Sequence, residues 1–263
     1  MTQNQLTVNN VSKTFTVHKR LGFFKREKKV VDALIDFSLV VEPVTIFGLV
    51  VPNGVGKTTF IKYCLGLVEK TSGELEVLGY NPYLRKPNFL KQVGLVSGQK
   101  QNLDPNLSAL ESLRLSGYLY DTTPQNIEQR IAYLVDLFET EDKIDVPVRQ
   151  LSLGQKMKFE IISSVLHEPK FLFMDEPTLG LDFDAQNIMR SLLLKLNKEE
   201  GLTILLTSHY LPDITLLCSR LAVIEKGKKV FDGTVKDLMQ ENGRDGYLKT
   251  LIEELNKEEK KNS

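Results

Sequence analysis

One short loop constrains the fold of this chain more than any other feature. It follows an apolar, β-rich run at residues 45–50, and a helical pattern begins near its end and continues to about Leu67. The loop and the start of the helix read Val51-Pro52-Asn53-Gly54-Val55-Gly56-Lys57-Thr58-Thr59. Small residues let backbone N–H groups turn inward around phosphate oxygens, and the positive end of the helix points at the same anion. In such a loop Lys57 would reach the β- and γ-phosphates of a nucleotide, and the Thr58 hydroxyl would ligate Mg²⁺.

An acidic strand end lies further along the chain. Four apolar residues at 171–174 lead into Asp175-Glu176-Pro177. A central parallel strand is buried on both faces and therefore reads as a continuous apolar run, and ligands bind at the carboxyl ends of such strands. By itself an Asp-Glu pair at this place is commonly a solvated strand end. Together with the phosphate loop it predicts that Asp175 holds Mg²⁺ through water and that Glu176 polarises an attacking water.

The charge balance and the cysteine content argue against several classes of protein. The chain has 34 Lys and Arg against 34 Asp and Glu, so a strongly basic nucleic-acid binder is not expected. Cys64 and Cys218 stand far apart, which argues against a disulfide framework or a Cys-rich zinc site and favours a reducing cytoplasm. Residues 1–10 show no signal peptide, and no apolar run is long enough to span a bilayer. We therefore expect a cytoplasmic chain that reaches a membrane only as a peripheral partner.

Strands separated by helices predict a parallel α/β sheet. Besides the two strands described above, strand patterns lie at residues 6–11, 30–41, 75–78, 93–96 and 203–207, and a hairpin joins 221–224 to 229–231. Residues 107–142 are helical in pattern and carry an apolar stripe formed by Ile127, Ile131, Leu134, Val135 and Phe138. The basic segment 18–29 is expected to be a solvated hairpin loop, with contact to lipid head groups or to a partner as the alternative.

A third motif stands between the phosphate loop and the acidic strand end. It reads Leu151-Ser152-Leu153-Gly154-Gln155, and by itself Ser152-x-x-Gln155 is a helix capping box. The order of phosphate loop, Leu-Ser-x-Gly-Gln, Asp-Glu-Pro and then Ser208-His209 resembles the ATPase subunits of ABC transporters, over nearly the whole chain from about Leu6 to Gly233. The full set in this order is specific to that family, although no single member is.

The resemblance implies an α/β fold with a P-loop NTPase (RecA-like) core, an N-terminal antiparallel β region and an inserted α-helical subdomain. The core would comprise residues 1–97 and 166–238. The helical signature subdomain would span 98–165, and 239–263 would form a charged C-terminal helix or tail. ATP and Mg²⁺ are the cofactors it implies. The ATP phosphates would be bound by the loop residues Asn53, Gly54, Val55, Gly56, Lys57, Thr58 and Thr59.

The resemblance also assigns residues within one ATP site. Phe15 would stack on adenine, although a core aromatic of the first strand pair is the alternative. Gln99 would reach Mg²⁺, together with Thr58 and Asp175, and would sense the membrane subunit; a solvated loop glutamine is its alternative. Glu176 would be the catalytic carboxylate. His209 would hold the γ-phosphate and the attacking water.

Other implied roles join two ATPase subunits. Ser152, Gly154 and Gln155 would contact the γ-phosphate bound to the other subunit, because a helix N-terminus offers N–H groups and a dipole to an anion. Asp182 would lie in the loop that links the two sites across the dimer. Leu153 replaces the commoner glycine of the signature, as in a bacterial subgroup of exporter-type ATPases.

Three departures from the family pattern cluster around the nucleotide site. Pro43-Val44-Thr45 replaces the usual Gly-Glu turn before the central strand, Val51 replaces the first loop glycine, and Val55 is bulkier than the usual small residue. These departures predict weakened ATP binding. If Val51 needs a positive φ, valine is strained there, and Val51→Gly is expected to tighten ATP binding; in the β region valine costs little.

The resemblance predicts an ATP-binding and hydrolysing subunit of a transporter, of exporter type. Two copies, or one copy and a close relative, would close around two ATP molecules and drive a separate membrane-spanning subunit. The helical subdomain would carry the contact surface, with Gln99 at its root, at the cytoplasmic face of the membrane, and no nucleic-acid partner is expected. The alternatives are a soluble ABC-type ATPase outside transport and a weakly hydrolysing regulatory subunit.

Overall fold

The two sheets of the protein differ in strand direction. The computed structural model describes the backbone of residues 5–20, 26–51, 57–98, 102–120, 122–208, 210–240 and 250–253, and the side chains of these ranges except 15–20 and 26–31. A six-stranded sheet has the order β5-β6-β7-β3-β8-β9. Its members are β3 (Ile46–Val50), β5 (Val93–Ser97), β6 (Phe171–Asp175), β7 (Thr203–Thr207), β8 (Arg220–Glu225) and β9 (Lys228–Gly233). Neighbouring strands from β5 to β8 are parallel, and β9 pairs antiparallel with β8, which confirms the predicted sheet and hairpin.

The second sheet is antiparallel and comes from the N-terminal part of the chain. Its order is β2-β1-β4, with β1 (Leu6–Arg20), β2 (Arg26–Val41) and β4 (Ser72–Val77). The prediction of a hairpin loop over 18–29 is wrong for residues 18–20 and 26–29, because β1 and β2 remain paired as far as Arg20 and Arg26. A two-stranded ribbon is held by backbone hydrogen bonds, so a basic sequence can extend it without burying apolar side chains. Residues 21–25 lie outside the described residues.

Helices cover both faces of the parallel sheet. They are α1 (Lys57–Cys64), α2 (Pro87–Leu90), α3 (Ala109–Tyr118), α4 (Pro124–Leu137), α5 (Leu153–Val165), α6 (Phe183–Glu200), α7 (Leu211–Leu217) and α8 (Val235–Gln240). The apolar stripe predicted on α4 is buried from Ile127 through Phe138. Helix α6 was not predicted, although Asp182 caps its start and Gly201, with a φ of 63°, follows its end. Within the described ranges no helix combines the length and the apolar character needed to cross a membrane.

The parallel sheet separates two apolar cores. In β6, Leu172 and Met174 belong to the core shared with helices α3 to α6, while Phe171 and Phe173 belong to the core shared with α1 and the antiparallel sheet. Successive side chains of a strand point to opposite faces, so a strand with a core on each side must be apolar at every position. The apolar run therefore ends at Asp175, the last residue of β6, at the carboxyl end of the strand.

Candidate active site

Two hydroxyl side chains, one from a neighbouring parallel strand and one from helix α1, bind the carboxylate of Asp175. This residue pairs with Thr207 of β7, and the Thr207 hydroxyl donates to Asp175 Oδ1 at 2.7 Å. On the other side, the Thr58 hydroxyl at the start of α1 donates to Asp175 Oδ2 at 2.9 Å. Both carboxylate oxygens are thus held, and Asp175 joins β6, β7 and the helix that follows the phosphate loop. This contact brings the start of α1 next to the acidic strand end.

Lys57 and Glu176 form an ion pair beside this cluster. Lys57 Nζ lies 2.8 Å from Glu176 Oε1, and the side chains are only 8% and 17% exposed. Lys57 begins α1, where the positive end of the helix dipole also favours anions. An anion bound by the ammonium group of Lys57 would therefore lie next to the Glu176 carboxylate.

The backbone at Glu176 is in the left-handed region, with a φ of 53°. For a residue other than glycine this conformation costs about 1–3 kcal/mol and persists only where the surroundings hold it. Here the Glu176 N–H donates to the Thr207 carbonyl at 3.0 Å, and the Gly98 N–H donates to the Asp175 carbonyl at 2.9 Å. A Cβ at Gly98 would lie 2.4 Å from the Glu176 carbonyl oxygen, so only glycine fits. Strands β5 and β7 therefore hold Glu176 from both sides.

The Leu-Ser-Leu-Gly-Gln motif at residues 151–155, called the signature turn below, forms the N-terminus of α5. The Ser152 hydroxyl accepts from the Gln155 N–H at 3.3 Å, and Gln155 Oε1 accepts from the Ser152 N–H at 2.9 Å, which confirms the capping box. The turn packs against residues of the same chain near the start of α6, because a Cβ at Gly154 would lie 3.2 Å from the Ala185 Cβ. Ser152 is exposed, so this helix start is accessible to an anion carried by another molecule.

Asp182 caps α6 in this chain. Its Oδ1 accepts from the Ala185 N–H at 2.8 Å. A carboxylate at this position satisfies a free N–H group and complements the helix dipole. The loop that ends at Asp182 is therefore anchored to α6 and, through Ala185, to the signature turn.

The structure describes the remaining predicted site residues only in part. Phe15 lies in β1 opposite Val31, and only its backbone is described. Thr59 follows Thr58 in α1 and is half-buried. The remaining predicted ligands lie outside the described residues: Asn53, Gly54, Val55, Gly56, Gln99 and His209.

Val44 before β3 and Val51 after β3 both belong to the departures from the family pattern, but they behave differently. Val51 is 4% exposed and belongs to the core beneath α1. A positive φ is found at Val44, where it is 55°, and not at Val51. The reason for expecting Val51→Gly to tighten ATP binding is therefore absent, and the strained valine is the one in the turn before β3.

Two functional candidates escaped the sequence analysis. Thr207 binds Asp175, and its only signal was a polar residue at the end of an apolar strand. Glu160 is 3% exposed in α5, and its Oε1 accepts from the N–H groups of Asn102 at 2.8 Å and Leu103 at 3.2 Å. Burial raises the pKa of its carboxyl, while these hydrogen bonds oppose the shift. It ties α5 to the segment that follows Gln99, and its signal was a carboxylate between the apolar residues Phe159 and Ile161.

The oxygen atoms around Asp175 suit one kind of metal ion. Mg²⁺ prefers oxygen ligands and is commonly bound by one or two protein side chains, with substrate phosphates and water completing its shell. The Thr58 hydroxyl and the Asp175 carboxylate match this donor set. Among the described residues there is no group of three or more His, Cys, Asp or Glu side chains arranged to hold a metal. The residues therefore fit Mg²⁺ that shares its shell with nucleotide phosphates.

The parallel sheet and this site together define a P-loop ATPase. A family model described as ABC transporter matches residues 34–179. The Nod factor export ATP-binding protein I of Cupriavidus metallidurans is 37% identical over 80% of this chain and 68% of its own length. The ABC transporter ATP-binding protein NatA of Bacillus subtilis is 31% identical over 82% of this chain and 88% of its own length. The chain belongs to the ABC transporter family, as an ATP-binding ATPase subunit.

Solved structures support the same fold. An ATP-binding subunit of an ABC transporter superposes with a TM-score of 0.76 and 27% identity, over 96% of this chain and 99% of that chain. A dimeric ATP-binding cassette in a post-hydrolysis state with ADP and Pi gives a TM-score of 0.73 over 88% of this chain and 98% of that chain, and at 23% identity it supports the fold alone. The predicted fold class is confirmed.

Proposed function

We propose that this subunit pairs with a second ATPase subunit, either a copy or a close relative, around two molecules of ATP and Mg²⁺. The observation that carries the proposal is the junction at Asp175, which joins the phosphate-loop helix to β6 and β7 beside the Lys57–Glu176 pair. The exposed start of α5 would complete the site of the opposite subunit with Ser152, Gly154 and Gln155. Asp182 would couple the two sites through its position beside the same turn.

Each residue of the site has a chemical task in this proposal. Lys57 and the N–H groups of residues 53–59 would bind the phosphates, and Thr58, Asp175 and Gln99 would hold Mg²⁺, which would neutralise phosphate charge. Glu176 accepts a proton from the attacking water, and His209 holds that water and the γ-phosphate. Phe15 stacks on the adenine. Most of the catalytic effect in phosphoryl transfer comes from positioning and charge stabilisation, which suits a carboxylate held in a fixed backbone conformation.

The membrane-spanning partner would dock in a cleft between the core and the helical subdomain. This cleft has a volume of about 730 Å³, with Leu90 and Leu95 on the core side and Leu119 and Tyr120 on the helical side. Leu119 is 76% exposed, and Leu67 at the rim is 54% exposed. Exposed apolar groups along a cleft favour an apolar protein segment as its occupant. The proposed domain boundaries, at 98–165 for the helical subdomain, place this cleft where the two parts meet.

Export is the proposed direction of transport. The name of the Cupriavidus relative includes export, and Leu153 in the signature matches an exporter-type subgroup. Transport by a separate membrane subunit puts the ATPase at the cytoplasmic face of the membrane, where ATP is available. The transported molecule is determined by the membrane subunit, so none is assigned to this chain.

The test of the proposal is Glu176→Gln, which keeps the shape of the side chain and removes the base. We expect ATP-dependent dimers that persist, because hydrolysis stalls, and phosphate release that falls at least a hundredfold. Glu139→Gln is the control, since Glu139 is a glutamate that also has a positive φ, 51°, but it is exposed and lies outside the site. Size-exclusion chromatography with ATP and phosphate-release assays measure both effects. Normal hydrolysis by Glu176→Gln would contradict the role of Glu176.

A further inference from the structure

A second polar cluster is centred on Asp213 of α7. Asp213 has an exposure of 0% and Arg190 of α6 an exposure of 4%, and Arg190 Nε donates to Asp213 Oδ1 at 2.9 Å. The other carboxylate oxygen, Oδ2, accepts from the hydroxyl of Ser208 at 2.9 Å and from the hydroxyl of Thr178. Ser208 and Thr178 are also buried. One carboxylate therefore receives three donors from three separate parts of the chain.

The donors come from the segments that carry the proposed catalytic residues. Thr178 stands two residues after Glu176, and Ser208 directly precedes His209. On the far side of His209, the Tyr210 N–H donates to the Ser208 hydroxyl oxygen at 3.0 Å, and the Asp213 N–H donates to the Tyr210 carbonyl at 3.2 Å. Ser208 is thus bonded to the same carboxylate as Thr178, and Tyr210 is linked to Asp213 through the Ser208 hydroxyl and the Asp213 N–H.

Arg190 is itself held in place. Its Nη1 donates to Asn187 Oδ1 at 2.8 Å and its Nη2 donates to Gln186 Oε1 at 3.3 Å, both on the preceding turn of α6. Its guanidinium carbon lies 5.5 Å from the centre of the Tyr210 ring. Asp182 caps the start of α6, so Arg190 connects the helix that follows this loop to Asp213. The guanidinium group thereby has a fixed direction, and it orients the carboxylate that it binds.

We propose that Asp213, oriented by Arg190, is a positioning residue for ATP hydrolysis that fixes the segments carrying Glu176 and His209 relative to each other. The inference rests on the proposed roles of these two residues. A buried ion pair is weak evidence for stability by itself, because a well-packed apolar pair of the same volume often stabilises a fold as well or better. The distinctive feature of this pair is that the second carboxylate oxygen of Asp213, Oδ2, accepts hydrogen bonds from hydroxyl groups on both segments.

Thr178→Val is the first test, because it removes one hydroxyl donor and leaves the ion pair and the side-chain shape. We expect kcat for ATP hydrolysis by the full-length subunit to fall about tenfold, as for the loss of a hydrogen bond to a charged group, while KM for Mg-ATP stays within twofold. Thr178→Ser keeps the donor and should retain kcat within threefold. Thr140→Val is the matched control, since the Thr140 hydroxyl is equally buried and donates to the Val135 carbonyl at 3.3 Å, outside the network.

Ser208→Ala is an independent test on the segment that leads to His209. We expect a similar loss in kcat with little change in KM. Ser112→Ala is its control, because Ser112 is 3% exposed and its hydroxyl has no partner among the described residues. Thermal unfolding of all variants separates positioning from loss of fold: each network variant should lose activity at temperatures where it is as fully folded as its control.

Two outcomes would overturn the inference. One is a kcat within twofold of the controls for both Thr178→Val and Ser208→Ala. The other is a loss of activity that follows the unfolded fraction alone, which would make the network a structural one. A failure of the proposed function is recognised separately, because Glu176→Gln would then hydrolyse ATP at the normal rate whatever the network variants do.

Discussion

The two valines that flank strand β3 differ in backbone conformation and in burial, with opposite physical consequences. Before the strand, Val44 stands in a turn with a φ of 55° and is 50% exposed. After the strand, Val51 lacks a positive φ and is 4% exposed in the core beneath α1. Both replace residues of glycine-containing motifs in the family pattern.

The effect of a valine on folding stability therefore depends on the backbone conformation at its position. A β-branched side chain at positive φ is a steric outlier and costs about 1–3 kcal/mol. Val44 is held there by its N–H, which donates to the Thr203 hydroxyl at 2.8 Å. A valine in an ordinary conformation instead contributes about 1.5–3 kcal/mol when it is fully buried. Val44 is therefore expected to strain the protein, and Val51 to stabilise it.

The largest effect is expected for Val51→Gly. The substitution removes a buried side chain, leaves a cavity and increases the freedom of the unfolded chain, so the free energy of unfolding should fall by about 3 kcal/mol. Urea denaturation measures this change. Val51→Ala, which keeps the Cβ, should lose less. A Val51→Gly variant as stable as the natural chain would show that the side chain contributes no packing, and the comparison would fail.

A smaller effect of opposite sign is expected for Val44→Gly. Glycine relieves the strain at positive φ but loses more conformational entropy on folding, so the free energy of unfolding should rise by about 1 kcal/mol. Val40→Gly is the control, because Val40 is also an exposed valine but lies in strand β2, and glycine there should be destabilising. Urea denaturation of the pair tests the sign, and a loss of stability in both variants would contradict the strain at Val44.

The smallest effect is expected on nucleotide affinity. Val44 lies at the end of β3 opposite to the phosphate loop, so Val44→Gly should leave the Kd for ATP within twofold. Val51→Gly, tested where it is folded, should not bind ATP more tightly, because there is no strain at position 51 to relieve. Titration with a fluorescent ATP analogue checks both variants. A tenfold gain for Val51→Gly, equivalent to about 1.4 kcal/mol, would restore the original expectation.

How well the sequence predicted a feature depended on how far apart in the chain the residues that determine it lie. The strand at 203–207, the stripe on α4 and the capping box of Ser152 and Gln155 were predicted, because each depends on residues within a few turns. Helix α6 was missed even though its boundaries carry a capping aspartate and a following glycine. The extension of β1 and β2 was missed because a basic stretch reads as a loop until its pairing partner is known.

At the candidate site, too, local motifs were predicted and a contact between distant residues was not. The motifs indicated that Lys57, Thr58, Asp175 and Glu176 share one site, and their contacts confirm the proximity. Thr207 could not be found, because a lone threonine at a strand end has no pattern of its own. Its contact with Asp175 exists only through the register between β6 and β7.

The class of this protein follows from its local motifs, because the chemistry of the phosphate loop, the Leu-Ser-Leu-Gly-Gln motif and the acidic strand end depends on residue type and order. Only the tertiary structure decided that Val44 has a positive φ while Val51 is buried. It also decided that Arg190, Thr178 and Ser208 meet at Asp213. The physical reason is that the sign of φ, the burial of a side chain and the partners of a carboxylate are set by packing between elements distant in the chain, and local sequence patterns carry no record of that packing.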